Sequence, residues 1–328
     1  YSSKIEKDIC ELRDTADGII DAVFGFGFKG VLPEEMVKVF LCANEAKAYR
    51  VSADRPSGAV CDTAELSRGS FKADATVTFN TFKPAIVSYP AKANCGEVIL
   101  ENVGISSEII NKTHTDFMLI DGNEVKRILP KIRTESNKGS NGKLVMICGS
   151  YGMAGACIMA AKAALRSGLC LLSIIIDERI YPIVASAVPE AVFKFLQFRQ
   201  ETLEDDFRVI NEEMKKATAC LLGCGLGELK DKLCEYVLGI ADVPVLLDAD
   251  ALNFVASKGC FECIKGKDVL MTPHAGEMSR LMQTDIDTIQ SHRIDTARML
   301  SEKTGAVVLL KGAATVISDG GKVAVNST

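Results

Sequence analysis

The stretch Leu144-Val145-Met146-Ile147-Cys148, running into Gly149-Ser150-Tyr151-Gly152-Met153-Ala154-Gly155-Ala156 and on through CIMAAKAALRSG (157–168), decides the reading of the fold. An apolar, β-branched run, a glycine-rich turn and an alanine-rich helical pattern make a strand–turn–helix unit. The glycines are spaced G-x-x-G-x-x-G. That is neither the dinucleotide fingerprint G-x-G-x-x-G nor the phosphate loop G-x-x-x-x-G-K-[ST], so both of those readings fail on spacing. What remains is close backbone approach to a ligand at a helix N-terminus, where the dipole favours anions.

The same texture extends outward. Strand-like runs recur at IIDAV (19–23), TVTF (76–79), SIII (173–176), VPVLL (243–247) and AVVLL (306–310), with a further short strand in RVSADRPSG (50–58). Helical patterns lie between them at 34–48, 156–168 and 275–282. Strands alternating with helices predict an α/β protein with parallel sheets covered on both faces. At roughly 150 residues per domain, the 328-residue length suggests two domains. The polar stretches at 108–116 and 131–143, with a short helix at 124–129 between them, place the split near 112. The expected units are 1–112 and 113–328, against one large domain with an insertion. TVISDGGKVAVN (315–326) reads as a hairpin around Asp319-Gly320-Gly321. A doubly wound sheet rarely ends on a bare hairpin, and residue 1 is Tyr, so both ends look cut.

Composition closes off other classes. Hydrophobic residues make up 48% and charged residues 25%, which excludes a disordered or collagen-like chain. Net charge is −5 with a pI near 5.5, offering no long-range attraction to nucleic acid or acidic lipid. The longest apolar run, Leu169–Ile176, is far short of the roughly 20 residues a membrane span needs. Twelve cysteines are scattered, most of them in apolar runs, and read as buried free thiols in a reducing compartment, most simply the cytoplasm. Cys260 and Cys263 have no second pair, so zinc is not expected there.

Candidate chemistry gathers at strand ends. Asp21 leads into Gly25-Phe26-Gly27-Phe28-Lys29-Gly30, and a second strand ends in Asp54, Pro56, Ser57 and Gly58. Two Asp-bearing strand ends with a hydroxyl could share one oxygen-rich cation pocket, although a purely structural turn reads equally well. Beyond 140, GSYGMAGA (149–156), LLGCGLG (221–227), LLDADALN (246–253) and LMTPHAGE (270–277) repeat the theme. His274, between a strand and a helix start, is singled out, while His114 and His292 are taken as surface residues. Lys311-Gly312-Ala313-Ala314-Thr315 suits a nucleotide phosphate or adenine-side contact.

The ordered set NKG (137–139), GSYGMAGA, ALRSG (164–168), GCGLG (223–227), LDADALN (247–253), TPHAGE (272–277) and KGAAT (311–315) resembles the ADP/ATP-dependent NAD(P)H-hydrate dehydratases, which have a ribokinase-like fold. IIDAVFGFGFKG (19–30), ADRPSG (53–58), ADATVTF (73–79) and CGEVILENVGIS (95–106) resemble the NAD(P)H-hydrate epimerase domain, a partial Rossmann-like unit. The two occur in this order in bifunctional nicotinamide-nucleotide repair enzymes. The resemblance implies epimerisation of R and S hydrates by the first unit. It implies dehydration of the S form at the expense of ATP or ADP, with Mg2+, by the second. Carried over, Asp21 and Ser57 are the K+ ligands. Gly25 to Val31 and Asp54 form the epimerase's hydrate-binding segment. Ala156, Gly225 and His274 contact the hydrate in the dehydratase, and Lys311, Gly312, Ala313, Ala314 and Thr315 bind nucleotide. The resemblance also implies self-association.

The chain departs from the pattern at Asn137 (usually His), Cys224 (usually Pro) and Ala275 (usually Pro). The closing Gly-x-Gly-Asp segment, whose Asp is the expected base, and the epimerase's opening phosphate turn are not found between Tyr1 and Thr328. The catalytic base is therefore left unassigned, and weak or absent turnover is expected of this chain. A ribokinase-like small-molecule kinase and a non-catalytic nucleotide-binding protein are the competing readings.

Overall fold

A computed structural model describes residues 13, 15–129, 142–197, 199–228 and 230–327. The NKG stretch at 137–139 and the Asn137 departure lie outside the described residues. Two sheets organise the chain. The first holds β1 (Gly18–Asp21), β2 (Tyr49–Ala53), β3 (Ala75–Phe79) and β4 (Glu97–Glu101) in that order, all parallel. Helix Glu34–Asn44 crosses from β1 to β2. Its Val37, Phe40 and Ala43, spaced i, i+3, i+6, are buried with Leu32 and Phe71. Phe40 meets Phe71 edge-on at 6.0 Å and Phe24 at 6.4 Å, so aromatic packing holds the β1 turn onto this unit.

The second sheet has ten strands: β5 (Phe117–Ile120), β6 (Lys143–Ile147), β7 (Leu171–Asp177), β8 (Val192–Leu196), β9 (Ala219–Leu222), β10 (Val245–Leu247), β11 (Val269–Met271), β12 (Val307–Leu310), β13 (Thr315–Ser318) and β14 (Val323–Asn326). Their spatial order is β5-β14-β13-β12-β11-β10-β9-β6-β7-β8. Strands β12, β13 and β14 form an antiparallel meander, and every other pairing is parallel. β7 (LLSIIID) is buried at six of seven positions, Ser173 and Asp177 among them, as expected of a strand covered on both faces. Helix Ala154–Arg166 follows the opening glycine turn, and its small buried residues Cys157 and Ala161, spaced i, i+4, let it lie close on the sheet.

From β6 the chain steps to β7 and β8 on one side, then returns to lay β9 on the other side of β6. The switch point therefore falls between β6 and β9, where the carboxyl ends of an open α/β sheet leave a crevice. One buried core links the two sheets: Ala59, Ala64, Ala85 and Ala91 share it with strands of the second sheet.

The observed elements adjust the expectations. The helix expected over 34–48 stops at Asn44, the one expected from 156 begins at Ala154, and the strand expected from 243 begins at Val245. The expected hairpin is present, with Asp319 accepting from the backbone N–H groups of Gly321 and Lys322. Strands β4, β5 and β8 and helices Leu203–Met214, Lys230–Ile240, Ile286–Ser291 and Arg293–Thr304 were not expected individually. Cys148, Cys157, Cys220 and Cys234 are buried free thiols as expected, whereas Cys42 is disulfide-bonded. No helix among the described residues is long and apolar enough to cross a membrane.

Candidate functional site

Six parallel strands of the second sheet end on one rim, in the order β12, β11, β10, β9, β6, β7. Backbone bonds lace their turns together. Gly149 N donates to the Cys224 carbonyl at 2.9 Å, Asp250 N to Gly223 at 3.1 Å, Thr272 N to Leu247 at 3.1 Å and Lys311 N to Pro273 at 2.8 Å. The glycines are there for contact. Gly225, at φ +73°, would place an added Cβ 3.0 Å from that of Met153, so the β9 turn lies against the β6 turn.

Asp248 ties three strand ends. Its Oδ1 accepts from Lys311 Nζ at 2.7 Å and Thr272 Oγ1 at 2.9 Å, with the Cys224 thiol 3.5 Å from Oδ2. Burial pushes the Asp248 carboxyl up, but the Lys311 hydrogen bond and charge outweigh it and hold it below the usual carboxylate range. Burial and the same carboxylate push the Cys224 thiol up to about 12, so it is no nucleophile. Asp250 accepts from Leu226 N at 2.9 Å and fixes the β9 turn from below.

His274 caps helix Ala275–Met282. Its Nδ1 accepts from Gly276 N at 2.9 Å and Glu277 N at 3.3 Å, while Glu277 Oε2 accepts from His274 N at 2.8 Å. Because Nδ1 accepts, the ring presents its N–H at Nε2, which stands 3.5 Å from Glu277 Oε1. Ala156, Gly225 and His274 follow β6, β9 and β11, spread over three strand steps, or about 14 Å of rim.

The turn Lys311–Thr315 after β12 is shaped by Arg293. This buried guanidinium donates to the carbonyls of Leu310 at 3.1 Å and Lys311 at 3.2 Å, and sits where a Cβ on Gly312 (φ +143°) would go. Thr315 Oγ1 closes the turn onto the Gly312 carbonyl at 3.0 Å, and Ala314 is buried beneath it. Arg293 was not singled out from sequence, because one Arg inside RIDTARML carries no local signal.

A cleft of about 650 Å³ opens at the switch point, lined by Ser150, Tyr151 and Met153 after β6, Arg179 after β7, Leu226, Gly227, Glu228 and Lys230 after β9, and Asp250 after β10. The glycine turns and Asp250 were expected on this rim, while Arg179 and Lys230 were not.

In the first sheet, Asp21 and Ser57 come together as expected. Ser57 Oγ donates to Asp21 Oδ1 at 2.6 Å and Ser57 N to Oδ2 at 2.7 Å, and Ser52 Oγ and Val23 N also donate to this carboxylate. Both side chains are buried. Gly25, Phe26, Gly27, Lys29, Gly30 and Val31 form an exposed turn, with only Phe28 tucked in against Phe24. Arg55, fully buried, joins that turn to Asp54: it donates to the Gly25 carbonyl and lies 3.8 Å from Asp54. Asp54 also accepts from Lys83 and from Phe79 N. The ADRPSG segment (53–58) is legible in sequence, but Arg55 within it carries no local signal of its burial.

A family model described as NAD(P)H-hydrate dehydratase matches residues 144–328, the whole of the laced rim. The chain belongs to the NAD(P)H-hydrate dehydratase family. A second model, described as the YjeF-related protein N-terminus, matches residues 2–85. Of the curated relatives, the bifunctional NAD(P)H-hydrate repair enzyme of Coxiella burnetii is 34% identical over 303 residues, covering 92% of this chain and 59% of that protein. The one from Escherichia coli is 31% identical over 308 residues, covering 93% and 57%. The chain thus spans about three fifths of the length of the curated relatives it matches. Of the solved structures, the ADP/ATP-dependent NAD(P)H-hydrate dehydratase of Bacillus subtilis, co-crystallised with ATP and Mg2+, matches with TM-score 0.51 and 28% identity over 63% of this chain and 71% of that one. A ribokinase-like superfamily protein of Enterococcus faecalis matches with TM-score 0.57 over 65% of this chain and 72% of that one; at 20% identity it shows the fold alone. The dehydratase unit is ribokinase-like and the preceding unit Rossmann-like, as expected. At Cys224 and Ala275, where the resemblance led Pro to be expected, the Cys224 carbonyl takes the Gly149 N–H, and Ala275 opens the helix that His274 caps.

Proposed function

We propose that the protein repairs hydrated nicotinamide nucleotides: residues 113–328 dehydrate (S)-NAD(P)H hydrate with ATP or ADP, and residues 1–112 serve the epimerisation of R and S hydrates. The observation that carries this reading is the laced rim at the switch point, built from the segments in which the chain resembles the dehydratases.

The chemistry needs a better leaving group than hydroxide. Transfer of the terminal phosphoryl group to the hydrate's hydroxyl gives a phosphate ester. Loss of phosphate with that oxygen, and of a proton from the neighbouring ring carbon, restores NAD(P)H and leaves ADP and phosphate (AMP and phosphate when ADP is the donor). In this reading Lys311–Thr315 receives the nucleotide, with Lys311 supplying charge and Arg293 fixing the turn. Ala156 and Gly225 let the hydrate approach the backbone, and His274 Nε2–H donates to it. Mg2+ belongs to the reading as the counter-ion of the nucleotide phosphates.

For the first unit, Asp21 and Ser57 offer adjacent oxygens of the kind K+ takes. The fit is partial, because Asp21 already accepts four hydrogen bonds and the Ser57 hydroxyl accepts from Phe24 N at 3.0 Å. As it stands the pair is a hydrogen-bonded unit, and no step is derived through the ion. Gly25–Val31 and Asp54, joined by Arg55, are proposed as the segment that meets the hydrate. Self-association and a cytoplasmic location belong to the same proposal, the first carried by the resemblance and the second by buried free thiols such as Cys148 and Cys157.

The test is incubation of purified protein with (S)-NADH hydrate and ATP or ADP, following recovery of NADH absorbance. Recovery that needs nucleotide supports the reading. Phosphorylation of a sugar or vitamin alcohol without any action on the hydrate would turn it into a small-molecule kinase, and binding without product into a non-catalytic protein.

A further inference from the structure

The switch-point cleft contains polar groups that the proposed hydrate contacts do not use. Asp177, 1% exposed at the end of β7, takes Arg179 in a forked contact, Nε to Oδ1 at 2.9 Å and Nη2 to Oδ2 at 2.5 Å. Tyr151 N and Arg179 N donate to the same carboxylate, at 3.3 Å and 2.9 Å. The guanidinium carbon sits 5.1 Å from the centre of the Tyr151 ring. One edge of the fork and one face are thereby fixed, while the side chain stays 60% exposed and Nη1 makes no hydrogen bond among the described residues. A guanidinium held by a buried carboxylate, with its other edge open, suits an anionic oxygen. Beside it in the same cleft, Ser150 is 5% exposed and its Oγ has no hydrogen-bond partner among the described residues. A buried hydroxyl without a partner is costly, and a ligand oxygen would satisfy it. Lys230, 3.5 Å from Asp250, lines the cleft too, as does Glu228.

Sheet order sets this corner apart from the nucleotide turn. Arg179 follows β7 and Lys311 follows β12, five strand steps away, or about 24 Å. The residues proposed to meet the hydrate follow β11, β9 and β6, and Arg179 continues that line one strand further. An extended dinucleotide laid along the rim with its reacting ring toward Lys311 would bring its phosphate-bearing remainder here.

Resting on the functional reading above, we propose that Arg179, positioned by Asp177 and Tyr151, together with the Ser150 hydroxyl, binds a phosphate group of the hydrated dinucleotide. The chemistry is shared by the pyrophosphate, present in both substrates, and the ribose 2′-phosphate, present only in the NADPH form.

Calorimetric titration of the 328-residue chain with (S)-NADH hydrate, (S)-NADPH hydrate and ATP distinguishes the sources. Arg179→Ala is expected to weaken hydrate binding about tenfold, the loss of one charge-assisted hydrogen bond, and to leave ATP binding unchanged. Arg179→Lys should recover part of the affinity and Ser150→Ala should show a smaller loss. A loss confined to the NADPH hydrate assigns the 2′-phosphate, and a loss for both assigns the pyrophosphate. If Arg179→Ala, shown folded by its thermal transition, binds both hydrates as the parent does, the inference falls while the functional reading stands. If the parent chain binds ATP but neither hydrate, the functional reading falls and takes the inference with it.

Discussion

Gly223 adopts φ +123°, and a Cβ added there would lie 1.9 Å from the Asp248 carbonyl oxygen. The β9 turn can rest on the β10 turn only because this residue has no side chain. Gly223→Ala is therefore expected to cost at least about 2 kcal/mol of stability, read from denaturant unfolding. Glu213 shows the same dependence on a neighbour through charge. Its carboxylate accepts from Lys143 Nζ at 2.6 Å, Ser173 Oγ at 2.9 Å and Lys216 Nζ at 3.2 Å, tying helix Leu203–Met214 to β6 and β7. Burial pushes this carboxyl up, yet those three bonds bring it down to about 2. A depressed folded-state pKa stabilises fully above the unfolded value near 4.3, and the stabilisation is lost as pH falls toward 2. Glu213→Gln should accordingly be less stable than the parent at neutral pH by at most about 3 kcal/mol. That gap should close as the two are compared by circular dichroism down to pH 2.

At the scale of elements, His274 is both a helix cap and a proposed ligand, and the two roles can be separated. Asn caps as well as any residue but cannot present an Nε2–H at the same place. His274→Asn is expected to keep the parent's unfolding midpoint and lose hydrate affinity in calorimetry, whereas His274→Ala should also lose about 1 kcal/mol of stability. If the Asn variant binds hydrate normally, His274 is only a cap. This helix was legible in sequence because Pro273, His274 and Glu277 punctuate its start. Helix Arg293–Thr304 was not. Its buried face includes Thr296, Ser301 and Thr304 among Ile294, Ala297 and Leu300, so the apolar stripe is broken. Thr296 and Thr304 satisfy their hydroxyls on carbonyls one turn back, at 2.7 Å and 2.8 Å, and Ser301 on the Ala306 carbonyl at 2.6 Å. Polar residues that bury themselves by local bonding leave no periodicity to read. Strand β8 was missed for a different reason: it is a sheet edge, with Lys194 in its middle and most of its residues half-buried or exposed.

Across the whole molecule, strand ends were readable because glycines and aspartates follow apolar runs, but strand order was not. That β9 lies on the far side of β6 from β7 is a long-range pairing, and only this pairing brings Arg179 and Lys230 to one cleft. Arg55 and Arg293 act on residues they meet through the fold, and Arg179, although held by Asp177 two residues back, reaches the Tyr151 ring only through the fold. The junction of the units adds a further case. His292, taken as a surface residue, stands 3.1 Å from Glu65, and Lys92 donates to the Ser327 carbonyl at 3.2 Å. The two sheets are thus joined by polar contacts as well as by a shared core. We propose that this architecture serves the dehydration of a nicotinamide hydrate. The most direct measurement is NADH absorbance during incubation of (S)-NADH hydrate with the protein. Nucleotide-dependent recovery of NADH, slow because no catalytic base is assigned in this chain and absent when ATP and ADP are both omitted, is the expected result. Hydrate that persists unchanged under every nucleotide, while the same preparation phosphorylates another alcohol, would contradict it.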